Sequence, residues 1–317
     1  MAYDLHRTPG NEIHMNENRY NSLNAYLRNE YGEKIYKLAL VGGGSCPNRD
    51  GTKGYGGCIF CGEGSGSFAA ESIDEAIDRL KNKNTGSRYI AYFQSYTSTY
   101  KITPELRDRF FEAANDDRVA VVSIATRPDC LDEETMTILW ELRKIKPVWV
   151  ELGLQTSYER TAELINRGYS LQIFEEAVNK LNTLGAETIV HLILGLPGES
   201  QEDMIETVHY INSRKVQGVK FQLLHILEHT RMAQMYREGQ LRWPQTGRKY
   251  PLSLDEYADL VCSCLNNLRR DIVVHRLTGD GIKRDLIEPK WSGDKKRVLN
   301  TITKRMEDLD VIQGKYV

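Results

Sequence analysis

The chain has 317 residues, a formal net charge of −2, 40% hydrophobic and 27% charged residues, which leaves room for one large α/β barrel or two ordinary domains of a globular protein. The near-neutral balance argues against a broad nucleic-acid surface, no apolar run reaches the length of a membrane span, and the polar opening over 1–20 lacks the apolar core of a signal peptide. Six cysteines without a secretion signal point to a reducing, cytoplasmic setting.

Behind a polar N-terminal segment, 1–33, the first predicted strand covers 34–40. The loop after it, CPNRDGTKGYGGCIFCGEGSGSF, sets Cys46, Cys58 and Cys61 in Cys-x11-Cys-x2-Cys spacing. A structural zinc site normally closes its tetrahedron with a fourth protein ligand. A [4Fe–4S] cubane has one ligand per iron, so three thiolates leave one iron open to a small molecule, as S-adenosylmethionine (SAM) needs for chelation through its amino and carboxylate groups. Glycines across 51–66 let backbone wrap an inorganic core and aim N–H groups at its sulfides, and Ile59 and Phe60 can shield it from water. A zinc knuckle or three unrelated thiols is the alternative; the nearest histidines, His14 and His191, have no ligand-like spacing. Cys130 stands alone, and Cys262 and Cys264, two apart in a helical pattern, do not share a face. These three read as buried thiols.

Helical patterns at 72–81, 103–114, 132–144, 171–184 and 200–213 alternate with nearly all-apolar strands at 89–96, 119–126, 148–154, 188–194 and 219–227. That is the signature of βα units whose strands are buried on both faces. Six such strands predict an α/β fold, a partial (βα)6 TIM-type barrel over 34–228, with its site at the C-terminal strand ends. Polar residues gather there: Gln94, Ser95 and Tyr96 after strand two, Thr126, Arg127 and Asp129 after strand three, and Gln155 and Thr156 after strand four, which itself carries Glu151. Asn166-Arg167-Gly168-Tyr169 follows, then Gly195-Leu196-Pro197-Gly198-Glu199 after strand five, and strand six is predicted to carry His225. Singly, Asp129 and Glu199 read as turn or helix-cap signals; on one shared rim the set reads as a site.

Past 229 the pattern changes to a helix at 230–240, a Pro/Gly-containing connection at 243–253, a helix at 254–270, a strand-like stretch at 272–277 and a helix at 295–309. These are expected to form an extension, 229–317, packed on the barrel. From 269 to 305 the chain holds 11 Lys/Arg and 5 Asp/Glu, either a docking patch for a polyanion or a solvated helix face. Trp291 among them could stack on a splayed base or pack onto the barrel.

Taken together, CPNRDGTKGYGGCIFC, AYFQSYTSTY, IATRPDCL, VELGLQT, NRGY, LILGLPGE, HRLTGD and PKW resemble the radical SAM superfamily, in the branch of the Elongator catalytic subunit and the anaerobic coproporphyrinogen oxidases. The narrowest resemblance is to the bacterial YhcC/YtqA-like family of MnmL-type tRNA-modifying enzymes, which shares the long spacing between the first two cysteines. The resemblance implies that Cys46, Cys58 and Cys61 bind a [4Fe–4S] cluster and that Gln94, Ser95 and Tyr96 meet the SAM amino group, although the family's GGE-type motif is absent there. It further implies that Glu151 and Gln155 face the SAM ribose or methionine portion, that Arg167 pairs with the SAM carboxylate with Glu151 orienting it, and that Gly195 to Gly198 let backbone approach the adenine, with Thr126 on the same rim. Tyr96, His191, His225 and His275 are the candidates for later proton steps, while a lone histidine in an apolar strand, such as His191, is more often a hydrogen-bonded core residue.

The function so implied is a radical SAM enzyme fed by an electron donor such as flavodoxin or ferredoxin, with tRNA as substrate. It would convert a 5-carboxymethylaminomethyl group on the wobble uridine to 5-aminomethyl, beginning at the glycine-like methylene. A radical SAM enzyme acting on a small molecule or peptide and a non-catalytic zinc-binding module are the competing readings.

Overall fold

The computed structural model describes residues 19–62, 68–81, 83, 86–243, 250–279, 281 and 283–317. His14, the cysteine-loop glycines after Gly62, Asp280 and most of the 243–253 connection lie outside the described residues.

Seven parallel strands form one sheet in chain order: β1 (Tyr36–Leu40), β2 (Tyr89–Phe93), β3 (Val119–Thr126), β4 (Val148–Gln155), β5 (Glu187–Leu194), β6 (Gly218–Leu223) and, after the two-residue β7 (Ile226–Leu227), β8 (Val273–Arg276). The sheet curls into a half-barrel whose edge strands, β1 and β8, are not paired with one another. Around it run α1 (Leu23–Tyr31), α2 (Ile73–Asp78), α3 (Pro104–Asn115), α4 (Glu133–Arg143), α5 (Glu159–Leu164), α6 (Leu171–Leu184), α7 (Gln201–Asn212), α8 (Arg231–Arg237), α9 (Leu254–Asn266) and α10 (Lys295–Asp308). Ser22, Thr103, Asp132, Ser170, Ser200 and Ser253 start six of these helices, each accepting from the N–H three residues on and so satisfying a donor that the helix itself leaves orphaned. The Asp129 and Glu199 cap reading therefore shifts to Asp132 and Ser200.

Because side chains alternate along a strand, the sheet has two apolar faces. Leu38, Ala91, Val122, Val150, Val190 and Val219 face the helices in the main core. A second cluster, Ile90, Val121, Trp149 and Ile189, lies inside the half-barrel under Leu27 of α1, with Leu23, Tyr26 and Tyr31 packed against it. Helix α1, which the sequence reading left inside a featureless segment, thus plugs the N-terminal end of the lumen. Its entry is held at both chain extremes. Ser22 bridges Val274 of β8, Val274 donates to the Asn21 carbonyl, and Asn21 N–H donates to Gln313 Oε1 at 2.8 Å.

Two expectations need correction. The strand-like stretch assigned to the extension is the seventh strand of the sheet, pairing Val273 with Gly218 and Val274 with Val219. The predicted sixth strand stops at Leu223, leaving His225 in the turn between β6 and β7; β7 then pairs antiparallel with β9 (Leu286–Glu288).

Candidate functional site

The cysteine loop follows β1 and is tied down from several sides. Asn48, 1% exposed, donates from Nδ2 to the Asn166 carbonyl at 2.6 Å and lies 3.9 Å from Cys58 Sγ. In return Asn166 donates to the Gly57 carbonyl at 2.8 Å, and Ile59 N–H donates to the Ile165 carbonyl. Gly168 takes φ +78°, and a Cβ there would sit 2.7 Å from Asn48 Oδ1, so this contact needs glycine twice over, for conformation and for space. Arg49 closes the far side with bonds to the Cys61 and Gly62 carbonyls at 2.5 and 3.1 Å. Neither Asn48 nor Arg49 was singled out from the sequence; the packing of Asn48 on Gly168 is visible only in space.

All three cysteines of the loop are free and partly exposed, whereas Cys130, Cys262 and Cys264 are buried as expected. Burial, and then the neighbouring Cys61, push Cys58 up to about 12, so assembling any metal group on it must release a proton. Among the described residues no three His, Cys, Asp or Glu side chains converge on one ion. Three cysteine thiols on one loop match the three protein ligands of a cubane that keeps one iron open. The donor set fits a [4Fe–4S] cluster.

The C-terminal strand ends supply the rest of the rim. Tyr96, with φ +48°, lies under the Arg49 guanidinium at 5.3 Å, and Ser95 is buried. Thr126 is only 6% exposed and bonds Thr99 Oγ1 at 2.5 Å. Gln155, φ +63°, follows a register shift in β4, with Tyr169 Oη 3.1 Å from its Oε1. Gly195 and Gly198 both have positive φ. Arg127 clasps Asp129 through two bonds of 2.9 and 3.0 Å, donates to the Arg167 carbonyl, and stacks over Tyr169. Burial works against the Asp129 charge, but Arg127 and then Lys53 hold it below the usual carboxylate range.

Arg167 departs from expectation. It is fully buried and donates to the carbonyls of Tyr169, Leu154 and Thr156 and to Glu159 Oε2 at 3.0, 3.1, 2.8 and 3.1 Å. Four of the five guanidinium N–H groups are thereby used within the chain, and the carboxylate that orients it is Glu159. Glu151 lies deeper and has other partners.

Glu151, fully buried, is the hub of a polar layer across the lumen. Its Oε1 accepts from Lys37 Nζ and Ser123 Oγ, each at 2.9 Å. Its Oε2 meets His191 Nε2 at 2.7 Å and is paired with Lys220 Nζ. Burial opposes its charge, but Lys220 and then Lys37 hold Glu151 well below the carboxylate range; a carboxyl facing donors at every position has no room for a proton of its own. His191 is pushed down to about 4 by burial and by Lys220, and it receives Gln222 Nε2 at Nδ1 at 3.1 Å. It is therefore neutral with its proton on Nε2, and both nitrogens are engaged. His275 lies lower still, 5.1 Å from the Trp149 ring, where burial holds it well below the usual range. His225 packs beneath Gly279 and Gly281. Of the four proton-step candidates, only Tyr96 and His225 stand at the rim.

Glu199 is buried beside Thr156, which donates to it, and burial pushes it up from 4.5 to about 7. A raised folded value means that the folded chain holds this proton more tightly. The extra stability is full below pH about 4.5 and disappears as pH rises through about 7, on the order of 3 kcal/mol in all. Glu199→Gln should flatten that part of the urea-midpoint profile and raise the midpoint at pH 8. Superimposable profiles of the two proteins would contradict the assignment.

The basic segment proves smaller than its residue count. Arg269 binds Asp271 and the carbonyls of Asn212 and Arg214, and Arg305 pairs with Asp259. Trp291 packs, donating to the Leu252 carbonyl at 2.9 Å and lying 5.7 Å from the Tyr257 ring. Lys283, Arg284, Lys290, Lys295, Lys296 and Arg297 stay exposed. Two of this segment's neighbours reach the strand ends: Leu252, whose carbonyl accepts from Trp291, lies by Gly195 after β5, and Leu227 of β7, the strand paired with β9, lies by Gly62 of the cysteine loop.

Residues 46–211 match the radical SAM superfamily and residues 216–308 the radical SAM C-terminal domain. YtqA of Bacillus subtilis is 43% identical over 308 residues, covering 95% of this chain and 93% of that protein. A tRNA uridine(34) acetyltransferase of Methanocaldococcus jannaschii is 27% identical over 128 residues, 39% of this chain and 23% of that one. A solved structure of Elp3 from Methanocaldococcus infernus shares the fold, with TM-score 0.64 at 16% identity over 88% of this chain and 65% of that chain. The chain belongs to the radical SAM superfamily, and a [4Fe–4S] cluster and S-adenosylmethionine are its cofactors.

Proposed function

We propose that this radical SAM enzyme modifies the side chain of a tRNA wobble uridine, in a conversion of the 5-carboxymethylaminomethyl to 5-aminomethyl type, in the cytoplasm, with flavodoxin or ferredoxin as electron donor. The observation that carries the substrate class is the set of exposed basic residues from Lys283 to Arg297, on a segment tied to the strand ends through Trp291 with Leu252 and through β9 with β7. Tyr55, 80% exposed on that loop, offers a face on which an unstacked base can lie. The partial likeness to a protein named for tRNA uridine(34) points the same way.

The bound cofactors supply a 5′-deoxyadenosyl radical for hydrogen abstraction. The chain's own work is to hold and shield. Cys46, Cys58 and Cys61 hold the cluster; Gln94 to Tyr96, Thr126, Gln155 and Gly195 to Gly198 line the place proposed for SAM; α1 closes the lumen floor against water. Tyr96 and His225 are the proposed rim groups for a later proton step. No helix among the described residues is long and apolar enough to cross a membrane.

Nucleoside analysis of tRNA from a deletion strain tests the reading: 5-carboxymethylaminomethyl uridine should accumulate and its 5-aminomethyl descendants disappear. An unchanged nucleoside profile would move the substrate to a small molecule or peptide. Neutralising Lys295, Lys296 and Arg297 together should weaken tRNA binding and reduce its salt slope by up to about three counterions, while SAM cleavage without tRNA survives. Equal affinity of the two proteins across the salt series would mean that tRNA docks elsewhere.

A further inference from the structure

We propose that Arg49 sets the reduction potential of the cluster: its guanidinium, held across the cysteine loop without a carboxylate partner, favours the reduced form from which an electron passes to SAM. The inference rests on the cofactors of the family and not on the tRNA substrate. Arg49 acts through the cluster ligands, as a positioning residue.

Arg49 touches all three cysteine segments. Its backbone N–H donates to the Cys46 carbonyl at 2.8 Å. Its stem lies against Gly57, the residue before Cys58. Gly57 has φ +75°, and a Cβ there would sit 2.9 Å from Arg49 Cγ and Nε, so glycine is what leaves room for the stem. The head then reaches the Cys61 and Gly62 carbonyls, with both bonds from Nη2. No bond from Nη1 or Nε runs to a described residue, in contrast to Arg167, whose fork is spent within the chain. A strut across the loop would need only the one nitrogen; the delocalised charge and the remaining donors exceed that role.

The charge is not spent elsewhere. No Asp or Glu pairs with Arg49 among the described residues. Asp50, next in the chain, instead accepts from Lys101 Nζ at 3.1 Å and Tyr100 Oη at 2.9 Å. Arg127, whose charge bears on Cys58 and Cys46, is clasped to Asp129. The groups whose charges bear on Arg49 are Cys61, Tyr96 and Cys46, and Tyr96 adds the face of its ring at 5.3 Å. Arg49 is half-buried, so salt screens it less than a surface charge. The potential of such a cluster follows net charge, hydrogen bonds to the sulfurs and solvent exposure. One electron from the external donor enters a cluster that its thiolates already make anionic and adds one negative charge. A fixed cation near two of those thiolates lowers the cost of that step. No bond is made or broken and no proton moves at Arg49.

The test is a redox titration of the reconstituted full-length enzyme without SAM, poised with titanium(III) citrate and mediators and read by low-temperature EPR of the reduced cluster. Iron and sulfide analysis of each sample fixes the amount of cluster counted. Arg49→Gln and Arg49→Met remove the charge. Each should lower the ratio of reduced to oxidised cluster at a fixed potential about tenfold, a midpoint about 59 mV more negative for one electron. Arg49→Lys keeps the charge and should recover most of the shift, although an ammonium lacks the planar fork. A strut alone would change cluster content and leave the midpoint of the loaded fraction in place. An unmoved midpoint in the neutral variants, an equal shift in Arg49→Lys, or a shift to more positive potential each overturns the proposal. Failure of both neutral variants to load any cluster overturns it as well, because Arg49 would then be a condition of assembly.

Discussion

Cys58→Ala protein should hold no intact cluster and cleave no SAM, whereas the wild-type chain should reconstitute with about four irons and four sulfides. The same loss is expected for Cys46→Ala and Cys61→Ala, because each thiolate serves a different iron. Cys262→Ala is the matched control. Its thiol is buried in α9, raised to about 11 by burial and then Asp259, and far in function from the loop. Iron and sulfide analysis of anaerobic preparations, followed by assay of 5′-deoxyadenosine, reads both quantities. SAM cleavage at the wild-type rate by Cys58→Ala would end the assignment, and zinc in place of iron would return the loop to a structural knuckle.

The second large effect is on stability. Arg167→Ala removes a buried guanidinium from three carbonyls and Glu159, leaving acceptors at the end of β4 and in the turn before α6 unsatisfied. Loss of such a group costs on the order of 3–5 kcal/mol, read as a lower denaturant midpoint in protein with the cluster intact. Arg167→Lys should recover only part of it, since an ammonium cannot reproduce the planar fork. A variant of wild-type stability that binds SAM poorly would instead restore Arg167 to the SAM carboxylate.

Much of the barrel was legible because buried parallel strands read as continuous apolar runs: 119–126 agrees with β3 at both ends, and 171–184 with α6. Strand β8 was misassigned for a physical reason. It has four residues, and its partner β6 lies about fifty residues earlier, so nothing local marks it as part of the sheet. Helix α1 was missed because nine residues within a polar stretch carry little periodic signal. In the site, the cysteines were legible from spacing alone. The layer around Glu151 was not, because Lys37, Ser123, His191 and Lys220 come from four other strands, and each reads singly as one polar residue in an apolar run. The burial of Arg167 was not legible because NRGY looks like a rim loop, while burial is decided by the turn that packs it against Tyr169.

The seat of α1 has a consequence for how the protein is made. Residues 21–22 are secured by Val274 and Gln313, partners separated from them by about 250 to 290 residues, and at synthesis rates of about 5–20 residues per second these partners leave the ribosome many seconds after the helix. The start of α1 must wait, unsecured, although the strand residues beneath the helix, Ile90, Val121, Trp149 and Ile189, are already available. Closure entropy grows only slowly with length, so the delay is one of chain order rather than of energy. The growing chain therefore passes through a stage in which the barrel still lacks its seventh strand and the first residues of α1 still lack their partners.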